Sequence, residues 1–298
     1  MIVYNGFSDI KLNNTAVTIG KFDGLHLGHA ALIKEVVSQK LFHRTAVAVN
    51  LLMDRKDGAI YSKAERRRLF EEAGCDILIE AELNDELKNI EAEDFVREYL
   101  IDRLGAHMVV TGFDFAFGAG RRGNTALLKK MGDEYGFTLR CIEKKEFMGK
   151  RISSTRIREC LSLGDMEMAK AMLGREYSLE GVVVTGNRLG RTLGMPTANL
   201  MWPDDKLVVC RGVYLAGIKI NDENFYGIAN VGIKPTIEGR KIYGCETNIF
   251  DFDRDIYSQN IRVNLLKHLR DEIRFSNLEE LKAKMHKDKK TARMLLGK

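Results

Sequence analysis

The chain has 298 residues, of which 45% are hydrophobic and 30% charged, and its formal net charge is +5. That composition can bury real cores, and the length predicts two domains of roughly 100–200 residues each. No apolar run is long enough to span a bilayer, and the opening MIVYNGFSDIKLNN lacks the basic-then-apolar order of a secretory signal. The charge is too mild for a dedicated nucleic-acid binder, and the densest basic runs, Arg66–Arg68 and Lys287–Lys290, read as solvated faces. Small anionic ligands suit it better, with no nucleic-acid or membrane partner. Cys75, Cys141, Cys160, Cys210 and Cys245 are scattered and form no CxxC pair, so neither a disulfide frame nor a zinc site is expected. A reducing cytoplasm is the matching location.

Up to about residue 175, strand and helix patterns alternate. Strands are predicted at 15–19, 45–50, 76–79, 107–111 and 137–142, with amphipathic helices at 28–42, 62–73, 93–104 and 124–135. Ser62 and Glu65 have the spacing of a capping box. Such alternation predicts a Rossmann-like α/β domain with a mostly parallel sheet. Two more helices, 154–163 and 166–173, are expected to close this half.

After Gly181 the pattern changes. β-rich runs at 181–185, 213–220, 225–231, 243–250 and 260–265 follow one another between glycine-bearing turns. A small antiparallel barrel or sandwich is expected, with a terminal helix at 278–296. The boundary is placed at Tyr177–Leu179, giving domains 1–178 and 179–298. Pro196, Pro203 and Pro235 all lie in the second half, and no repeat or low-complexity linker is visible.

The first chemical signal is the run from Gly20 through Phe22, Asp23, Gly24, His26 and Gly28 to His29, set between a strand and a helix. Ligands of open α/β sheets sit at the carboxyl ends of strands, where a helix N-terminus offers free N–H groups to phosphate. His26 and His29, three apart, share one helix face and can donate to phosphate oxygens. Gly24 and Gly28 permit close backbone approach. The plainer alternative is a strand–turn–helix with two incidental histidines; the contiguity of the whole unit favours the phosphate site.

This segment resembles the HxGH signature of the nucleotidyltransferase superfamily. In its GxFDGxHxGH form it resembles the bacterial bifunctional riboflavin kinase/FMN adenylyltransferase family. Two further segments are similar to that family: Thr111–Gly118, continuing through Gly120-Arg121-Arg122-Gly123-Asn124, and Ile152-Ser153-Ser154-Thr155-Arg156-Ile157-Arg158. The resemblance implies that Asp114 faces the flavin nucleotide or its surroundings; for the aromatics the plainer alternative is core packing, expected of at least one of Phe113, Phe115 and Phe117. Ser153, Ser154 and Thr155 can cap a helix and hold phosphates, and Arg156 and Arg158 add charged donors. Adenylyl transfer needs alignment of the FMN phosphate with ATP and charge stabilisation on pyrophosphate, roles given to His26, His29, Arg156 and Arg158. One departure is plain. The family's FxPHP-like motif has no counterpart, because Ala46–Gly58 reads AVAVNLLMDRKDG.

In the second half, Gly186 through Gly190, Arg191, Gly194, Pro196, Thr197 and Asn199 resemble the family's kinase loop, GRTLGxPTAN. The resemblance implies a wrap around ATP phosphates, and Thr197 and Asn199 offer hard oxygen ligands for Mg2+. Asn230–Thr236 and Cys245-Glu246-Thr247-Asn248-Ile249 are similar to further kinase motifs, with Glu246 as general base for the ribityl hydroxyl. Leu269–Phe275 looks like an R-x-E-x-x-F stretch, with Arg274 near flavin or nucleotide and Phe275 in packing. The resemblance implies a bifunctional enzyme that uses ATP to convert riboflavin to FMN, releasing ADP, and FMN to FAD. Two alternatives stand: a riboflavin kinase with a degenerate N-terminal half, and a non-catalytic flavin-binding regulator.

Overall fold

A computed structural model describes residues 1–186, 195–234 and 242–297. The chain divides into two compact units, Met1–Ser154 and Thr155–Lys298.

The first unit holds strands β1 (Ile2–Asn5), β2 (Thr15–Gly20), β3 (Thr45–Leu52), β4 (Ile77–Glu82), β5 (Ala106–Gly112) and β6 (Thr138–Ile142). They form one sheet in the order β1-β4-β3-β2-β5-β6, every neighbouring pair parallel. Helices α1 (Leu27–Ser38), α2 (Lys63–Glu72), α3 (Asp85–Asn89), α4 (Ala92–Asp94) and α5 (Thr125–Tyr135) connect them. Ser62 and Glu65 make the capping box at the start of α2. The expected helix at 93–104 is of another kind: α4 runs into a π-helix, Phe95–Arg103, closed by Leu104 N–H on the Tyr99 carbonyl at 3.1 Å. A short hairpin, β7 (Glu146–Phe147) with β8 (Lys150–Arg151), ends the unit.

The central strands are buried on both faces, as a parallel sheet between helical layers requires. Val17, Ile19, Val47, Val49 and Val109 point to the layer containing Phe95, Leu100 and Leu128, while Ala16, Ala46 and Val110 point to Val36 of α1. Burying each large aliphatic side chain stabilises by about 1.5–3 kcal/mol. The chain runs outward from β2 through β3 to β4, then restarts on the other side at β5. The switch point therefore lies between β2 and β5, where an open α/β sheet forms its ligand crevice.

The second unit carries α6 (Ser154–Leu163, its first residue closing the first unit), α7 (Met166–Leu173) and strands β9 (Tyr177–Val182), β10 (Ala198–Met201), β11 (Gly212–Ile220), β12 (Glu223–Lys234), β13 (Ile242–Ile249) and β14 (Asn260–Asp271). These form an antiparallel sheet in the order β10-β13-β12-β11-β14-β9. An antiparallel bridge between Val184 and Asn199 draws its two ends together into a nearly closed barrel. Tyr214, Ala216, Ala229, Val231, Cys245, Leu200, Val263 and Leu265 are buried along one face of the strands. The other face presents Val213, Leu215 and Ile228, packed with Ala292 of the terminal helix α8 (Leu278–Leu295). Arg270 on β14 holds α8 through Asp288, with donor distances of 2.7 and 2.8 Å.

The expected boundary at 177–179 followed the change of pattern in the sequence. The division by packing falls earlier because α6 and α7 lie on the barrel: Cys210 N–H donates to Leu161 carbonyl at 2.9 Å, and Lys267 of β14 pairs with Glu167 of α7 at 3.1 Å. Among the described residues, no helix is long and apolar enough to cross a membrane.

Candidate active sites

At the β2/β5 switch point lies a cavity of about 380 Å3. Gly20, Phe22, Asp23, His26, Gly28, His29, Asp114, Ser153 and Ser154, all expected from sequence, line it. The turn after β2 is tightly wound. Phe22 and Leu25 have φ of 39° and 40°, left-handed values that cost non-glycine residues roughly 1–3 kcal/mol. Gly24, at φ +84°, stands where a Cβ would meet Ile60 Cδ1 at 2.9 Å, so its part is to let the turn pass Ile60. Asp23 is turned to scaffolding: its Oδ1 accepts from Ile60 N–H at 2.8 Å, and its carbonyl accepts from Ser154 Oγ at 2.6 Å.

His26 is the N-cap of α1, its Nδ1 accepting from His29 N–H at 3.3 Å. An accepting Nδ1 leaves Nε2 as the donor of the neutral ring. The His29 ring stacks on His26 with centroids 3.7 Å apart and planes 13° from parallel, and its Nδ1 is buried without a hydrogen-bond partner. Burial first, then the neighbouring His26 and Arg151, hold the His29 pKa well below 6.5. A neutral imidazole pair at a helix N-terminus can donate to phosphate oxygens without a proton leaving or arriving.

Lys21 and Arg121, both within segments picked out from sequence, also line this cavity, and so do three cations outside those segments, Lys144, Lys145 and Arg151. Arg151 donates to Asp114 at 2.5 Å and Lys144 lies 3.5 Å from it. Partial burial pushes the Asp114 carboxyl up, but the Arg151 hydrogen bond and the two cations outweigh it and hold it below its usual range. Phe117 is buried and Phe115 stacks on it at 5.4 Å, whereas Phe113 is exposed. Thr155, Arg156 and Arg158 stand on α6 in the second unit.

Two of the barrel's cavities gather the residues expected from sequence. One, of about 400 Å3, is lined by Gly186, Pro196, Thr197, Asn199, Thr247 and the segment Phe252–Tyr257. The other, of about 240 Å3, lies between the outer sheet face and α8 and includes Thr197, Asn230, Glu246, Asn248, Glu272, Phe275 and Met285. Thr197 borders both. Register explains the grouping: Glu246 pairs with Asn199 on one side and Asn230 on the other, so these three side chains project from one face. Asn199 is buried, and its Oδ1 accepts from Lys234 Nζ at 3.1 Å. Asn248 donates to the Pro196 carbonyl at 2.9 Å while its Oδ1 is buried without a partner, an acceptor free for a ligand. Arg274 is exposed and lines neither cavity, whereas Phe275, expected in packing, lines the second. Gly190, Arg191 and Gly194, like Pro235 and Thr236, lie outside the described residues.

A parallel sheet with a histidine-capped crevice, followed by a six-stranded barrel with cavities along its wall, defines a nucleotidyltransferase-type unit joined to a kinase-type barrel. The FAD synthetase family matches residues 9–156 and the riboflavin kinase family residues 173–296. The bifunctional riboflavin kinase/FMN adenylyltransferase of Escherichia coli strain K12 is 34% identical over 303 residues, covering 98% of this chain and 96% of that protein. Its namesake from Haemophilus influenzae is 33% identical, covering 95% and 94%. A solved structure described as a macrolide-efflux protein from Streptococcus pneumoniae has a TM-score of 0.86 at 28% identity and covers 98% of this chain and 99% of that one. The chain belongs to the bifunctional riboflavin kinase/FMN adenylyltransferase family.

Proposed function

We propose that the chain phosphorylates riboflavin with ATP to give FMN and ADP, then adenylylates FMN with a second ATP to give FAD and pyrophosphate. Division of labour follows the two sequence domains, 1–178 for adenylyl transfer and 179–298 for phosphorylation. The observation that carries the kinase reading is Thr197 bordering both barrel cavities while Glu246 lines only the smaller. ATP fits the larger cavity and riboflavin the smaller, with the ribityl chain reaching toward Thr197. Glu246 accepts the proton of the 5′-hydroxyl as its oxygen attacks the γ-phosphorus and ADP departs. Asn248 Oδ1 suits a flavin or ribityl donor.

Mg2+ fits the donor set. It keeps most of its waters and takes one or two protein oxygens with substrate phosphates, and the Thr197 hydroxyl with Asn199 Oδ1 would supply these. When bound, Mg2+ neutralises phosphate charge. Lys234 now donates to that same Asn199 oxygen, a cation where a cation belongs.

In the first unit, His26 and His29 as neutral donors, with Lys144, Lys145 and Arg151, suit the triphosphate of ATP; the family resemblance alone gives Arg156 and Arg158 to the pyrophosphate. The FMN phosphate attacks the α-phosphorus as an anion, so no base is required. The absence of proline and histidine from Ala46–Gly58 favours a second reading, a riboflavin kinase without FAD synthesis. Product time courses from riboflavin with MgATP separate them: FMN rising then converting to FAD supports both activities, while FMN alone leaves the kinase. Riboflavin binding without either product would leave a flavin-binding regulator. The five free cysteines accord with a cytoplasmic location.

A further inference from the structure

Beside the smaller barrel cavity, the end of β14 meets the segment leading into β11. Cys210, His268 and Asp271 come together there, each offering one ligand atom, and the three atoms lie within 4.8 Å of one another. Asp271 Oδ1 is 3.5 Å from His268 Nε2 and 3.9 Å from Cys210 Sγ. Tetrahedral zinc, with bonds of about 2.3 Å to sulfur and about 2.0–2.1 Å to nitrogen and oxygen, sets these separations near 3.4 and 3.6 Å. The two separations from Asp271 are therefore a few tenths of an ångström from those a metal would impose, and the third is within 4.8 Å.

The convergence depends on a local irregularity. Residues three apart on a regular strand point to opposite faces. The pairing of β11 with β14 shifts between Val213 and Tyr214: Val213 faces Arg270 and Tyr214 faces His268, leaving Leu269 as an extra residue. A bulge of this kind re-aims side chains, and here it brings the side chains of His268 and Asp271 within reach of one another. Two glycines make room for the imidazole. A Cβ on Gly212 would stand 2.6 Å from His268 Nε2, and one on Gly164 would stand 3.0 Å from its Cγ. The ring is further fixed edge-on against Tyr214 at 4.9 Å, and Tyr214 OH donates to the Cys210 carbonyl. His268 Nε2 is buried and has no hydrogen-bond partner. Of the neighbouring cations, Arg211 is paired with Glu272 at 3.4 Å and Arg270 with Asp288 at 2.7 Å.

We propose that Cys210 Sγ, His268 Nε2 and Asp271 Oδ1 form a zinc-binding site. One soft, one borderline and one hard donor form a mixed set that zinc accepts, whereas Mg2+ and Ca2+ seek oxygen alone. Cys210 and Asp271 line an open cavity of about 560 Å3, which leaves the fourth position to water. Binding replaces the thiol proton, which leaves to solvent. Sequence spacing hides the site, because Cys210 and Asp271 are 61 residues apart. Glu272, next to Asp271, lines the cavity shared with Glu246, so the metal would brace the rim of the kinase site.

The test uses the full chain, freed of metal by chelator and titrated with Co2+ and then Zn2+. The expected result is one Co2+ per chain with a thiolate-to-cobalt charge-transfer band, displaced by one equivalent of Zn2+. Cys210→Ser abolishes the band, and Asp271→Asn weakens Co2+ binding at least tenfold. The Asp271 side chain is 82% exposed, so that variant keeps its fold. A protein that shows no charge-transfer band, or one whose band persists in Cys210→Ser, overturns the proposal.

Discussion

Glu246 and Asn199 are direct cross-strand partners on β13 and β10, so the candidate base and a candidate metal oxygen are neighbours on one face of the barrel. Asn230 completes the row from β12. Thr197 borders both barrel cavities beside this row, the place proposed for phosphoryl transfer.

Glu246→Gln keeps the size of the side chain and removes its basicity. Loss of a general base costs about 10²–10⁴-fold. The expected outcome is a fall of that order in kcat for FMN formation, with riboflavin affinity, read from quenching of its fluorescence, little changed. Glu246 is exposed, so thermal stability should not move. An unchanged kcat removes Glu246 as the base.

In the proposed kinase site Lys234 donates to Asn199 Oδ1, the oxygen assigned there to Mg2+, and would compete with it. Lys234→Met removes the competitor. If the ammonium's hold is worth about 1.4 kcal/mol, the Mg2+ concentration for half-maximal FMN formation falls roughly tenfold. A requirement that stays the same, or rises, means that Asn199 is not where the metal goes.

His29 gives a pH signature. Its folded pKa is depressed, by burial first and then by His26 and Arg151. The unfolded chain therefore binds the extra proton below about 6.5 while the folded chain resists it. The stabilisation is complete above that pH and is lost as the pH falls toward the lowered folded value. Melting temperature should drop more between pH 7.5 and 5.5 in the wild type than in His29→Leu. The same variant should impair FAD formation and spare FMN formation; equal loss of both products would reassign the histidine.

What the sequence discloses is what repeats locally. The strands β2 to β6 and the helices α1, α2 and α5 announce themselves through apolar runs and amphipathic spacing, and His26, His29, Thr197 and Glu246 through contiguous motifs. β1 escapes because its four residues, half-buried or exposed, carry no alternation. The buried residues of the π-helix, Phe95, Val96, Tyr99 and Leu100, recur at a four-residue interval that an α-helix also shows, so the wider turn is not legible in the sequence. Arg151, Lys144 and Lys145 reach the first cavity because the chain returns there after β6, and no local pattern records that return. Asn248 sits inside a recognised motif, but its orphan oxygen depends on Asn248 donating to Pro196, a partner 52 residues away along the chain. The scaffolding work of Asp23 was hidden for the same reason, since its partner Ile60 lies well along the chain.

Asp23→Ala tests that scaffolding. The substitution leaves the buried Ile60 N–H without its acceptor, an orphaned donor costing about 1–3 kcal/mol. It also removes the carboxylate that lies 3.8 Å from Arg55, while the Asp23 carbonyl that receives Ser154 remains. The turn holding Phe22 and Leu25 at positive φ would relax, because strained backbone persists only where its surroundings over-determine it. The expected outcome is a lower melting temperature of the first unit, with KM for ATP in FAD formation raised and FMN formation unchanged. If Asp23 instead served only to contact nucleotide, the same KM change would appear with full stability, so the calorimetric trace distinguishes the two roles.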